Sequence, residues 1–309
     1  MKAINVFSMF DGMSCGQLAL KKAGVKVKTY HASEIDKWAI KVTKKNFPCT
    51  FQMGDITKLE DWRLEYIRDE IGLDLVIGGS PCQGFSFAGN QLNFEDPRSK
   101  LFFDFVRVLK ILKPKYFLLE NVRMKQESQD IISEYLGVEP VAINSNLVSA
   151  QNRHRLYWTN IPFDMPEDKG IILADILEDG VTDREKSHCL DANYFKGGNL
   201  KSYFEKHRRQ LVFTSGAFRG RYNSEGKTEQ KLELRYDGKT NSLTTVQKDN
   251  VAVDLKELTW RKLSVKECER LQTVPDGYTE GVSNTQRYKM LGNGWTVDVI
   301  ANIFKGITV

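Results

Sequence analysis

Along the first 160 residues, apolar runs of strand length alternate with stretches of helical spacing. The run Ile4–Phe10 predicts a strand, and Ser14–Gly24 a helix that stops at its glycine. Val27–Glu34 predicts a second strand and Asp36–Phe47 a second helix. Leu73–Gly79 reads as a strand, Lys100–Leu112 as an amphipathic helix and Lys115–Glu120 as another strand. Repeated βα units imply a parallel sheet covered on both faces. After about residue 160 the pattern breaks into short strands and glycine-punctuated turns, and helical spacing returns at Ser264–Gln272 and Thr296–Gly306. The simplest architecture is α/β: residues 1–162 and 258–309 build a mostly parallel, Rossmann-like sheet domain, and 163–257 form a smaller irregular insert.

Composition narrows the class. Of the 309 residues, 41% are hydrophobic and 28% charged, as in an ordinary soluble protein. No apolar run approaches the roughly 20 residues that span a bilayer, and the start lacks the apolar core of a signal peptide. The five cysteines (Cys15, Cys49, Cys82, Cys189, Cys268) are widely spread and form no CxxC pair, so neither a disulfide framework nor a metal site is expected. A reducing cytoplasm is the expected compartment. The net charge of +5 permits a polyanionic partner without requiring one. Residues 196–248 hold twelve Lys/Arg against five Asp/Glu, with many glycines and aromatics, a composition suited both to loops on a nucleic acid and to a solvated surface.

Candidate chemistry collects where ligands of parallel sheets bind, beyond the carboxyl ends of the strands. Gly12, Glu34, Asp55, Cys82 and Glu120 all follow predicted strand ends. Phe10-Asp11-Gly12 opens a glycine-bearing turn before the first helix, and Glu34 lies 22 residues after Gly12, where a carboxylate can grip ribose hydroxyls. The turn suits NAD or an adenosyl ligand without a pyrophosphate. Cys82 follows Gly-Gly-Ser-Pro, which stiffens and exposes the turn, and Arg153 and Arg155 stand two apart in "QNRHRLYW". A thiolate, a carboxylic acid and arginine donors suit covalent attack on an electron-poor heterocycle.

The ordered set "FDGMSCG", "SPCQGFS", "LLENV", "QNRHRLYW", "RKLSVKECERLQTVPDGY" and "RYKMLGNGWTVDVIANIF" resembles the motifs of the DNA cytosine carbon-5 methyltransferases. Phe10-Asp11-Gly12, "KLFFDFVRVL" and Trp295 resemble the animal de novo enzymes. Pro81-Cys82-Gln83 and Gly292-Asn293 resemble the bacterial and phage pattern, which also fits the compact length. The resemblance implies a Rossmann-like S-adenosylmethionine-dependent fold whose insert, 163–257, is the target-recognition domain. It implies that a cytosine is flipped out of double-stranded DNA and attacked at carbon 6 by Cys82. Glu120 would then hold ring nitrogen 3, Arg155 the base carbonyl, and Arg153 would support the site.

For the cofactor, S-adenosylmethionine, the resemblance implies Phe10 beside the adenine, Glu34 on the ribose and Asp55 on the adenine amino group. Asp11–Gly16, with Cys15, and Asn293, Gly294 and Trp295 would line the methionine part. Ile35, Ile56, Ser80, Pro81 and Leu101 would complete the wall. Trp38 is a second stacking candidate whose place early in a helix favours core packing. Ser86 and residues near Asn90 and Gln91 are the candidates to enter the space left by the base, and the sequence does not single out one of them. Arg98 is placed either to touch a phosphate or to pair with Asp96. Arg208, Arg209, Arg219 and Arg221 are the expected groove or phosphate contacts, and "NSLTTVQKDN" is expected to orient their domain. A monomer, encoded by a bacterium or phage and compatible with a cognate restriction enzyme, is the expected context. Two rivals stay open: an RNA enzyme sharing the same motifs, and a catalytically silent DNA-binding regulator, which would be marked by loss of the cysteine or the glutamate.

Overall fold

The computed structural model describes residues 2–80, 100–213, 218–222, 228–232 and 260–308. Seven strands form the main sheet: β1 (Ile4–Met9), β2 (Val27–Ser33), β3 (Phe51–Gln52), β4 (Leu75–Gly78), β5 (Tyr116–Val122), β6 (Val141–Asn144) and β7 (His154–Thr159). Their order is β3-β2-β1-β4-β5-β7-β6. Strands β1 to β5 pair in parallel, β6 points the same way, and β7 lies antiparallel between β5 and β6. The predicted parallel sheet is therefore present, with an antiparallel hairpin at one edge.

Every residue of β1 is buried, as a central strand covered on both faces requires. The pleat then sorts its side chains. Ile4 and Val6 join Leu75, Ile77 and Leu118 under one helical layer, and Phe7 and Met9 join Val76, Leu119 and Trp158 under the other. The first layer holds α1 (Cys15–Lys22) and α2 (Lys37–Asn46) from the front of the chain. The second holds α3 (Asp61–Tyr66), α4 (Lys100–Leu112) and α5 (Gln126–Leu136). In α4 the buried positions Phe102, Phe105, Val106, Val108 and Leu112 make the apolar stripe that was legible as helical spacing.

The later chain returns to the first layer. After α6 (Leu173–Ile176) and α7 (Leu200–Lys206) come α8 (Val265–Leu271), α9 (Asn284–Asn293) and α10 (Val297–Phe304). α8 starts where the sequence dictates. Ser264 Oγ accepts from the Glu267 amide, and Glu267 accepts from the Ser264 amide, a reciprocal cap. α10 meets α1, where Lys22 Nζ donates to Asp298 at 2.6 Å. Leu173, Ile176, Leu190 and Tyr194 lie in this same core with Leu263, Leu271 and Ile300. The stretch that follows residue 163 thus begins docked on the sheet domain. A satellite core of Tyr203, Leu211 and Phe213, with Trp260 against it, lies further out. There β8 (Leu211–Phe213) pairs antiparallel with β11 (Trp260–Lys262), and β9 (Phe218–Tyr222) with β10 (Thr228–Leu232). The "NSLTTVQKDN" segment lies outside the described residues.

Candidate active site

Pleat and register place the chemistry. Glu120 follows Leu118 by two positions in β5, so it shares the face covered by α1 and α10. Arg155 of β7 precedes Tyr157, which pairs with Glu120 across the ladder, so Arg155 reaches the same face. Arg155 Nε donates to Glu120 Oε1 at 2.9 Å. From the α9–α10 turn, Trp295 Nε1 donates to Glu120 Oε2 at 3.2 Å. Glu120 is 9% exposed, and two donors compensate its burial.

Arg153 shares the wall with Arg155 but does different work. Its guanidinium donates to the carbonyls of Leu190 at 3.0 Å, Gly292 at 3.2 Å and Gly294 at 2.9 Å. It clamps the segment before α7 to the end of α9. Gly292 has a separate reason to be glycine: a Cβ there would lie 2.2 Å from the backbone carbon of Asp191.

These groups line one cavity of about 730 Å³, which continues beneath the β1–α1 turn. That volume is in the range that holds a drug-sized or cofactor-sized molecule. Phe10, Asp11, Gly12, Cys15, Glu34, Ile35, Asp55, Ile56, Ser80, Leu101, Asn293, Gly294 and Trp295 all line it, as do Glu120, Arg153 and Arg155. The loop is strained: Phe10, Gly12 and Ser14 all have left-handed backbones, which two of the three adopt without glycine's freedom. Ser14 Oγ and Tyr30 Oη donate to Asp11 and hold the loop closed. Burial, opposed by these hydrogen bonds, pushes the Asp11 carboxyl up to about 6. Burial also pushes the Cys15 thiol up to about 12, so Cys15 stays protonated and is no nucleophile.

Glu34 Oε2 accepts from the Gly12 amide at 2.7 Å, and Oε1 accepts from the amides of Ile35 and Asp36 at 2.7 and 2.8 Å. A carboxylate has about four acceptor positions, so Glu34 can still take a ribose hydroxyl. Beside it Ile35 is 74% exposed, an apolar face at the cavity wall suited to a flat ring. Asp55 caps the short turn Ile56–Lys58, accepting from the Thr57 amide and hydroxyl, and these bonds hold its carboxyl below the usual range.

Some expectations change. Gly16 does not line the cavity; its missing Cβ makes room for Ile77 Cδ1 at 2.4 Å and Tyr30 Oη at 2.8 Å, a packing requirement. Arg209 is turned inward, donating to the Gly197 carbonyl at 3.0 Å and facing Asp191 at 3.8 Å. Arg208 faces the same Asp191 at 3.5 Å and is the more exposed of the two. Trp38 is absent from the cavity wall. Arg219 and Arg221 stand on β9 opposite Lys231 and Glu229 in the backbone register. Pro81, Cys82, Ser86, Asn90, Gln91, Asp96 and Arg98 lie outside the described residues. Asp36, Asp191 and Lys289, which the sequence did not single out, also reach the wall, with Lys289 paired to Asp36 at 3.0 Å. Among the described residues no cluster of His, Cys, Asp and Glu could hold a metal ion, and no helix is long and apolar enough to cross a membrane.

The strand order, the antiparallel β7 and a cleft at the carboxyl ends of the strands define a Rossmann-like α/β fold. The fold matches that of the Entamoeba histolytica methyltransferase EhMeth with a TM-score of 0.71 at 16% identity, over 99% of this chain and 98% of that one. The sequence profile of the C-5 cytosine-specific DNA methylases matches residues 4–308, and the chain belongs to that family, whose members use S-adenosylmethionine. It is 30% identical to the type II methyltransferase M1.ScrFI of Lactococcus lactis subsp. cremoris, over 97% of this chain and 76% of that protein. It is 27% identical to the type II methyltransferase M.NlaX of Neisseria lactamica, over 96% of this chain and 94% of that one.

Proposed function

We propose that this methyltransferase moves the methyl group of S-adenosylmethionine to carbon 5 of a cytosine turned out of double-stranded DNA, through a covalent adduct on Cys82. The observation that carries the reading is the single cavity joining the Glu34 end to the Glu120–Arg155 pair. Cys82 follows Ser80, itself in the cavity wall, by two positions.

In this reading the Cys82 thiolate adds to carbon 6 of the base as the ring 5,6 double bond opens toward carbon 5. Glu120 holds a proton against ring nitrogen 3, which makes carbon 6 electron-poor, and Arg155 holds the base carbonyl. S-adenosylmethionine, when bound, supplies an electrophilic methyl on sulfur. Loss of the carbon-5 proton to a base then restores the double bond and expels the Cys82 thiolate. Arg153 acts as a positioning clamp on the carbonyls described above. Phe10, Ile35 and Ile56 form the apolar wall for the adenine, Asp55 its polar edge and Glu34 the ribose acceptor. The recognition unit is read as 163–257, with its first part docked on the sheet domain and Arg208, Arg219 and Arg221 as its contacts to DNA.

Transfer of labelled methyl groups to unmethylated genomic DNA, followed by bisulfite sequencing, tests the reading. Methylated cytosines in one short sequence context are expected. Label entering tRNA and never DNA would overturn it. A second measurement addresses the cofactor end. Glu34→Ala is expected to weaken S-adenosylmethionine binding about 10- to 100-fold, the cost of one or two hydrogen bonds to a charged acceptor. A calorimetric affinity equal to wild type would remove Glu34 from that site.

A further inference from the structure

We propose that Trp295 is a positioning residue for Glu120, its indole N–H fixing the carboxylate plane that meets the target base. This rests on the catalytic reading of Glu120 given above. The sequence placed Trp295 at the cofactor, yet its polar atom is directed to Glu120 Oε2 at 3.2 Å. Arg155 Nε occupies the other oxygen at 2.9 Å. A carboxyl on a free side chain turns about its last bond with little hindrance, but donors on both oxygens from two separate elements remove that freedom. An indole N–H donates and cannot accept. Any proton that Glu120 carries on Oε2 must therefore use the lone pair away from Trp295.

Gly79 supports the assignment independently. A Cβ at Gly79 would lie 2.9 Å from Trp295 Nε1 and 3.0 Å from Glu120 Oε2. The contact thus depends on a residue without a side chain just past β4, immediately before the sequence Ser80-Pro81-Cys82. The indole is partly buried against the core that holds α1 and α10, so its ring is held from behind while its N–H points into the cavity. Arg155 pairs with Glu120, and Tyr157 beside them feels the charges of Glu120, Arg155 and Arg153. Neither arginine loses its proton in the working range, and burial raises the Tyr157 hydroxyl beyond it.

The test is Trp295→Phe, which keeps an aromatic ring and removes the donor, with Gly79→Ala as a second variant that displaces the contact. At saturating DNA and cofactor, kcat at the pH optimum is expected to fall about tenfold in Trp295→Phe, while the Kd for S-adenosylmethionine moves less than about threefold. An unchanged kcat with a weakened cofactor Kd would make Trp295 a cofactor wall and overturn the proposal. Wild-type turnover in Glu120→Gln would instead overturn the catalytic role of Glu120 and this proposal with it. An inactive Glu120→Gln beside a fully active Trp295→Phe overturns this proposal alone.

Discussion

Cys82→Ala is expected to abolish methyl transfer, by at least about 10⁴-fold, as loss of a covalent nucleophile does elsewhere. Binding of DNA and of S-adenosylmethionine is expected to persist. No described cysteine can stand in: Cys49 is exposed but absent from the cavity wall. Cys15 lines the cavity but remains a thiol, because burial outweighs the backbone hydrogen bond from Trp295. Cys268 is wholly buried in the core, and burial raises its thiol as well. Cys189 also lines the cavity, with Arg153 Nη1 at 3.4 Å from its sulfur, but it belongs to the segment that Arg153 clamps. The check is turnover of the variant beside its retention on a DNA column and its cofactor affinity. DNA carrying a fluorine at carbon 5 of the target provides a positive readout. Fluorine cannot leave as a proton, so wild type should accumulate a covalent complex and Cys82→Ala none. Retained turnover in Cys82→Ala would sink the covalent mechanism.

Arg153→Met is expected to cost about 3–5 kcal/mol of stability, because buried carbonyls that lose a donor cost about 1–3 kcal/mol each. Arg153 is 3% exposed, and three backbone carbonyls on two distant parts of the chain accept from it. Methionine keeps the length and apolar stem but leaves those carbonyls short of donors in a closed space. Because Gly294 precedes Trp295, slackening there should also lower turnover in whatever fraction remains folded. Denaturant titration reads the stability loss directly. Arg153→Lys should recover only part of it, since an ammonium lacks the planar fork that spans separate acceptors. A midpoint within experimental scatter of wild type would show that the clamp carries no weight.

Most of the sheet was legible because its strands are buried on both faces. Leu75–Gly78 reads as an apolar run into turn residues, Ile4–Met9 is apolar but for Asn5 and Ser8, and α4 announces itself by its stripe. The edge was not legible. β6 has two exposed residues among its four, and its pairing with β7 fixes it through backbone bonds that leave little mark on side-chain choice. α9 escaped for a similar reason: its polar positions and the terminal Gly292-Asn293 dilute the helical pattern, while tertiary contacts hold it. At the site, residues at the ends of strands β1 and β2 could be named because position alone implies a ligand there. Partnership could not be read. Arg153 and Arg155 share a spacing and a wall, yet one clamps carbonyls and the other holds a carboxylate. The resemblance gave the two arginines different roles, and the long-range register that puts Tyr157 opposite Glu120 supplies their partners.

The pairing of β8 with β11 has a consequence for how such a protein can diversify. Phe213 lies opposite Trp260 and Leu211 opposite Lys262, so the chain departs and returns through hydrogen-bonded neighbours. Whatever lies between 213 and 260 is closed off by a two-stranded stem. Closure entropy rises only slowly with loop length, by about 0.6 kcal/mol per doubling. Insertions, deletions or wholesale exchange of that stretch therefore place little load on the sheet that carries Glu34, Glu120 and Arg155. That stretch can change in length and sequence while Glu34, Glu120 and Arg155 keep their places on the sheet.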